Sequence, residues 1–248
     1  MEQNTEHTLT KKEKRELKRK EKEDVKNQKE SKKSTKRIVM WVSAVLILGF
    51  VVFGMVRIIS SSPAGNGETV SFPIYDSDWV KGNKNASTTL IEYSDFQCPA
   101  CAVYYPLIAQ VVKDLGSEIR FVYRHFPLQQ HQNANLTARA AEAAGKQGKF
   151  WEMHDVIFEN QTKWAENGGA RDIFIGYAKD LKLNLDKFNN DIDSKEVNAK
   201  IDGDYKSGLS AGVNSTPSFF LNGVKIQNPR TYDEFKSIIE QSIGKSAQ

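Results

Sequence analysis

Cysteine is close to absent: the 248 residues hold two, Cys98 and Cys101. That count excludes a disulfide-dense secreted scaffold and a four-cysteine zinc site. Aromatic residues are missing altogether from residues 1–37, and aliphatic ones nearly so, with only Leu9, Leu17 and Val25 after the initiator. Their spacing of eight fits neither the roughly 3.5-residue nor the roughly 3.6-residue repeat of a packed helix. Such a segment buries no apolar face and reads as a solvated, charged tail. Charge of one sign is also lacking over most of the chain. The tail carries 14 Lys+Arg and 8 Asp+Glu, whereas residues 38–248 carry 21 and 23. The formal net charge of +4 is thus a property of the tail, which rules out a basic nucleic-acid-binding surface spread over the whole protein. Interleaved acids and the want of stacking rings also argue against the tail as a nucleic-acid arm, so no nucleic-acid partner is expected.

Long apolar runs are absent but for one. Ile38–Val56 is 19 consecutive residues without a charge, which at about 1.5 Å per residue spans close to the ~30 Å hydrocarbon core of a bilayer. Trp41 lies near one end and Arg57 closes the other, as flanks of a spanning helix often do. A cleaved signal peptide is the rival, but its apolar stretch is usually about 7–15 residues and rarely follows so long a charged tail. The expectation is a transmembrane anchor over 38–59 in contact with the lipid bilayer. Fourteen basic residues precede it, against Arg57 alone before Lys81. The positive-inside rule then keeps residues 1–37 cytoplasmic and sends the rest outside, where disulfides persist. Residues 60–87 are rich in Ser, Gly, Asn and Pro and read as a spacer. The linker is set at 60–75 and a single domain at 76–248, long enough to bury a core.

Within that domain, Thr88–Tyr93 is short, apolar and rich in β-formers, like a strand buried in a sheet. A helical pattern follows from Cys98 to Leu115, with Gly116 as its stop and Pro106 expected to kink it. Ile119–Phe126 reads as a second strand. Helices are expected over Asn133–Gln147, Lys149–Asn160, Arg171–Leu181, Leu185–Ile192 and Val197–Ala211. Ser218–Leu221, an Asn222-Gly223 turn and Val224–Ile226 read as a hairpin, since Asn-Gly suits a type I′ turn. Tyr232–Ile243 closes the chain as a helix. The order is β-α-β, an all-helical insert, then ββα.

The chemistry lies in Cys98-Pro99-Ala100-Cys101. At a strand-to-helix junction Cys98 takes the N-cap and Pro99 the first helical position, where a missing N–H costs nothing. Free backbone N–H groups and the positive helix end then stabilise a thiolate at Cys98. That placement lowers a cysteine pKa from about 8.5 into the range of roughly 3.5–7.5, giving a good nucleophile and a good leaving group. Cys101, one turn on, can resolve a mixed disulfide. A metal would need two more ligands, and His125, His131 and His154 offer no paired spacing, so no metal is expected. His154 reads as a packed helix histidine and His125 as a loop-bonding one. Trp151, Met153 and Phe158 read as core.

Four stretches together, Leu90–Cys101, Tyr123–Leu128, Phe150–Asp155 and Val213–Phe220, resemble the DsbA-like branch of the thioredoxin superfamily, in its membrane-anchored form. The likeness covers about residues 76–243. It implies an α/β, thioredoxin-like fold with an all-helical insertion over about 130–212, preceded by the one transmembrane helix. It also implies protein thiol–disulfide oxidoreductase activity with no soluble cofactor. By the same match Thr216-Pro217 is the cis-proline loop that receives substrate backbone, and Glu92 is a buried acid beneath the active site that can take the proton of Cys101. The partners implied are reduced or unfolded exported proteins and a membrane redox partner for recycling, with the enzyme a monomer. Pro99-Ala100 supplies no histidine to the thiolate, and threonine before the proline occurs in isomerases as well as oxidases, so those residues leave the direction open. Isomerases of this superfamily usually add a dimerisation domain, for which 60–87 is too short, and that favours an oxidase over an isomerase or reductase. A non-catalytic envelope module with a structural Cys98–Cys101 bond is the other alternative, but so small a closed loop adds little stability.

Overall fold

The computed structural model describes residues 73–246, so the expected tail at 1–37, the anchor at 38–59 and nearly all of the linker at 60–75 lie outside the described residues. Among the described residues no helix is long and apolar enough to cross a membrane.

Among the described residues five strands form one sheet: β1 (Trp79–Gly82), β2 (Thr88–Ser94), β3 (Ile119–His125), β4 (Ser218–Leu221) and β5 (Val224–Ile226), in the order β1-β3-β2-β4-β5. Strand β2 is central and buried at every position. It pairs in parallel with β3, with Glu92 opposite Tyr123, and antiparallel with β4, with Glu92 opposite Phe219. Two parallel neighbours require a crossover, which helix α1 (Pro99–Leu115) supplies. Alternation along β2 then divides the core. Leu90 faces the side where Phe121, Ile108, Val111, Leu115 and Phe235 pack, and Ile91 and Tyr93 face the side of Val122, Phe126 and Phe220. Glu92 shares the parity of Leu90, which places an acid on the α1 side of the sheet.

The insert is all-helical, as expected: α2 (Ala134–Gly145), α3 (Phe150–Glu159), α4 (Gln161–Trp164), α5 (Ala170–Asp180), α6 (Leu185–Asp191) and α7 (Lys195–Ser210), followed after the hairpin by α8 (Tyr232–Ser246). Helix α1 continues through Pro106 without interruption. The hairpin turn has φ of 49° at Asn222 and 83° at Gly223, the left-handed pair that a type I′ turn requires.

Strand β1 corrects the reading of 60–87 as spacer. Its four residues are held from outside the segment. Trp79 stacks on Phe150 with ring centroids 4.3 Å apart, and its indole N–H donates to Glu142 Oε1 at 2.7 Å. Gly145 makes room for that ring, since a Cβ there would lie 2.3 Å from it. Just before β1, Asp78 takes a two-pronged contact from the buried Arg124, with Nε to Oδ1 at 3.1 Å and Nη2 to Oδ2 at 2.7 Å. Leaving one member of such a pair buried alone costs about 3–5 kcal/mol, so this joint fixes the sheet edge to β3.

Candidate active site

The loop between β2 and α1 carries the cysteines. Cys98 is the N-cap of α1 with extended φ and ψ of −67° and 121°, and Pro99 is the first helical residue. Asp95, 2% exposed, shapes the approach. Its carbonyl accepts the Cys98 N–H at 3.0 Å, its Oδ1 accepts the Gln97 N–H at 2.8 Å, and its Oδ2 accepts the Leu128 N–H at 2.9 Å. His131 Nδ1 closes on the same Oδ2 at 2.7 Å. This is an Asx turn built on Asp95-Phe96-Gln97, and that short-range pattern was the signal for Asp95, which the sequence reading passed over.

Both cysteines are free thiols. Cys98 is 7% exposed and Cys101 0%, while Pro99 and Ala100 between them face solvent, so an incoming group meets Cys98 first. The Cys98 thiol donates to the Thr216 carbonyl at 3.4 Å, and the Thr216–Pro217 peptide is cis. The loop expected to lie against the cysteines therefore does so. Asn228 holds it in turn, donating to the Pro217 carbonyl at 2.8 Å.

The two thiols are pushed apart in acidity. Cys98 is lowered from 9.0 to about 5, first by the Cys101 thiol donating to it, then by the Thr216 side chain and the N–H groups of Cys101 and Ala100, against the opposing effect of burial. Cys101 is pushed well above the ordinary thiol range, by burial first and then by the Cys98 and Glu92 charges. Two sulfurs one helical turn apart thus divide into a thiolate and a shielded thiol.

Glu92 is 4% exposed, and no salt bridge reaches it among the described residues. Burial raises its carboxyl from 4.5 to about 7, with the Ser94 hydroxyl lowering it and the Cys98 charge raising it further. A pocket of about 20 Å³ between α1 and α3 reaches Glu92, room for about one water molecule. Its more exposed side holds Lys81 and Asp155, 3.5 Å apart.

The ring hydrogen bonds of the histidines go to carboxylates, Glu142, Asp95 and Asp155, rather than to a sulfur. His154 is packed among Phe96, Tyr123, Trp151 and Phe158, as expected of a core histidine. His125 does not bond a loop through its ring: Nε2 meets Glu142 of α2 at 2.8 Å, and its backbone N–H donates to Asp204 of α7 at 3.1 Å. Among the described residues no three His, Cys, Asp or Glu side chains group to hold a metal.

Residues 76–241 match the family model for thioredoxin. Among curated proteins, the Na(+)/H(+) antiporter NhaA 1 of Salinispora arenicola is 39% identical over 149 residues, 60% of this chain and 22% of that protein. The NhaA 1 antiporter of Mycolicibacterium vanbaalenii is 31% identical over 207 residues, 80% of this chain and 32% of that protein. The chain spans about a quarter of the length of the curated relatives it matches. Among solved structures, oxidised BdbD from Bacillus subtilis superposes with a TM-score of 0.63 at 23% identity, covering 72% of this chain and 100% of that one. Wolbachia pipientis alpha-DsbA1 gives a TM-score of 0.61 at 23% identity, covering 72% and 95%. At those identities the likeness is one of fold. The chain belongs to the thioredoxin family and has the DsbA-type form of its fold.

Proposed function

We propose that this protein is an extracytoplasmic thiol–disulfide oxidoreductase that forms disulfides in exported proteins, held at the membrane by residues 38–59. The observation that carries the reading is the placement of Cys98: a helix N-cap beside the cis Thr216–Pro217 loop, with a pKa lowered to about 5. A sulfur so stabilised as thiolate is a good leaving group, which favours passing a disulfide on rather than keeping it.

In the oxidised enzyme a substrate thiolate attacks Cys98. The Cys98–Cys101 bond breaks, and Cys101 leaves with the electron pair and takes a proton from the Glu92 carboxyl. The second substrate thiolate then attacks the substrate sulfur of the mixed disulfide and expels the Cys98 thiolate. Two substrate thiols have become a disulfide, and the enzyme is a dithiol. A membrane redox partner or a small-molecule disulfide restores it. Thr216 and Pro217 receive the substrate backbone beside the sulfurs.

The test is equilibration with glutathione buffers. A reduction potential on the side of about −120 mV, the value of a strong oxidant, supports the oxidase direction, and one of about −270 mV would mark a thioredoxin-like reductase and overturn it. Topology has its own check. On intact cells, after mild reduction, an impermeant thiol reagent should label Cys98. Labelling only after permeabilisation would put the domain on the other side.

A further inference from the structure

The loop that carries Cys98 is gripped from the helical insert as well as by its own turn. Gln161, the first residue of α4, sends its side-chain amide back across the fold to two carbonyls, Phe96 O at 2.7 Å and Cys98 O at 3.0 Å. Gln97, between them, is bound to the same segment. Its amide donates to Ala165 O at 2.6 Å and accepts the Asn133 N–H at 2.7 Å. Asn133 Nδ2 then ties Trp164 O, Ala165 O and Asn167 O, each at 3.0 Å. The strap is itself anchored, since Trp164 is 0% exposed and its indole donates to Ile157 O at 2.9 Å.

The two carbonyls that Gln161 takes are the ones that orient the nucleophile. The peptide between Phe96 and Gln97 is held on both sides, its N–H by Asp95 and its C=O by Gln161. The peptide between Cys98 and Pro99 has no N–H, so its carbonyl is its only polar handle. That carbonyl is shared between Gln161 and the Ala102 N–H. Tilting either peptide swings the first turn of α1, whose N–H groups at Ala100 and Cys101 face the Cys98 sulfur. The amide also brings the positive end of its dipole to the helix terminus that stabilises the thiolate.

We infer that Gln161 is a positioning residue for the Cys98 thiolate, so that the helical insert, rather than the Cys98–Cys101 loop alone, sets the reactivity of the redox centre. The inference rests on the thiol–disulfide reading above. It makes the insert part of the redox machinery: anything that shifts the Gln161–Asn167 segment changes the nucleophile without touching it.

The test compares Gln161→Leu, which removes the donor, with Gln161→Lys, which keeps one. Each full-length variant is reacted with an alkylating reagent across pH 4 to 8, equilibrated with glutathione, and heated to record Tm. A rise of about one pKa unit at Cys98 lowers the alkylation rate at pH 5 by about fivefold. That is the result expected for Gln161→Leu, with Gln161→Lys staying within about twofold of the parent. An unchanged alkylation profile in Gln161→Leu, even with a lower Tm, overturns the inference, as does a lysine variant that behaves like the leucine one. If Gln161→Leu does not fold, Gln161→Glu replaces it, with the same length and no donor. It should raise the Cys98 pKa further, and a wild-type profile from it would be equally fatal. A parent protein that exchanges nothing with glutathione defeats the oxidoreductase reading itself, which separates the two failures.

Discussion

Cys101→Ser is expected to stop the cycle at the mixed disulfide. With the resolving thiol gone, the variant should retain one disulfide-linked partner per chain, whether glutathione or an exported protein, while Cys98→Ser retains none. The asymmetry follows from position. Cys98 lies at the helix terminus between exposed Pro99 and the Thr216 carbonyl, whereas Cys101 is 0% exposed and held as a thiol well above the ordinary range. Only the first can be reached from outside. In the parent Cys101 can also return the mixed disulfide to the Cys98–Cys101 bond, an intramolecular attack across one helical turn, and oriented intramolecular reactions enjoy very large effective concentrations. Release of the adduct by external thiol should therefore be slower than in the parent by about a hundredfold or more. Because Cys98 titrates near 5, the adduct should still form at pH 5.5. Non-reducing mass spectrometry reads the bound partner directly. Equal trapping by both serine variants would show that the roles of the two cysteines are wrongly assigned.

Much of this site is legible in sequence because its information is local. The apolar run of β2, the Cys98-Pro99 start of α1 and the Asn222-Gly223 turn each specify their own geometry within a few residues. The alternation of β2 also places Glu92 on the α1 side once the strand is known. What escapes the sequence is held by distant partners. Trp79-Val80-Lys81-Gly82 is too short to show a period and is a strand because Phe150, Glu142 and Arg124 secure that edge. Gln161 looks like any polar residue at a helix start, and its two bonds span 65 and 63 residues. His125 follows the same rule: a strand end before Phe126-Pro127 suggests a loop partner, and the partner is Glu142 on a helix brought in by the insert. An acid in a strand is ordinarily met paired with a basic residue at a sheet edge. The sheet order excludes that edge for Glu92, since β2 is its middle strand.

Glu92→Gln is expected to separate stability from turnover. Burial raises the carboxyl from 4.5 to about 7 in the folded protein, while in the unfolded chain it returns to its ordinary value. Its contribution to stability is therefore complete below about pH 4.5, where both states are protonated, and is lost as the pH climbs through about 7 and the fold must keep a buried charge. Glutamine never ionises. At pH 8 the variant should be the more stable protein, by on the order of 3 kcal/mol for a shift of this size, and the gain should vanish by about pH 4. Urea denaturation at the two pH values measures it. Exchange should move the other way. When Cys101 attacks a mixed disulfide it must first lose a proton in a site shut off from bulk water, and the Glu92 carboxylate, ionised above about 7, can take it. The reverse step needs the same group protonated, and a pKa near 7 serves both. Removing the carboxylate should slow the Cys101 step by roughly a hundredfold near pH 8, the usual scale for a lost general base. The parent's rise in rate through pH 7 should be abolished. Alkylation of Cys98 should persist with its titration near 5 unmoved, because Glu92, raised to about 7, is still protonated where Cys98 ionises. Stopped-flow fluorescence of a preformed mixed disulfide, followed from pH 5 to 9, isolates the step. A stabilised variant with parental rates at every pH would leave Glu92 a buried charge with no part in the chemistry.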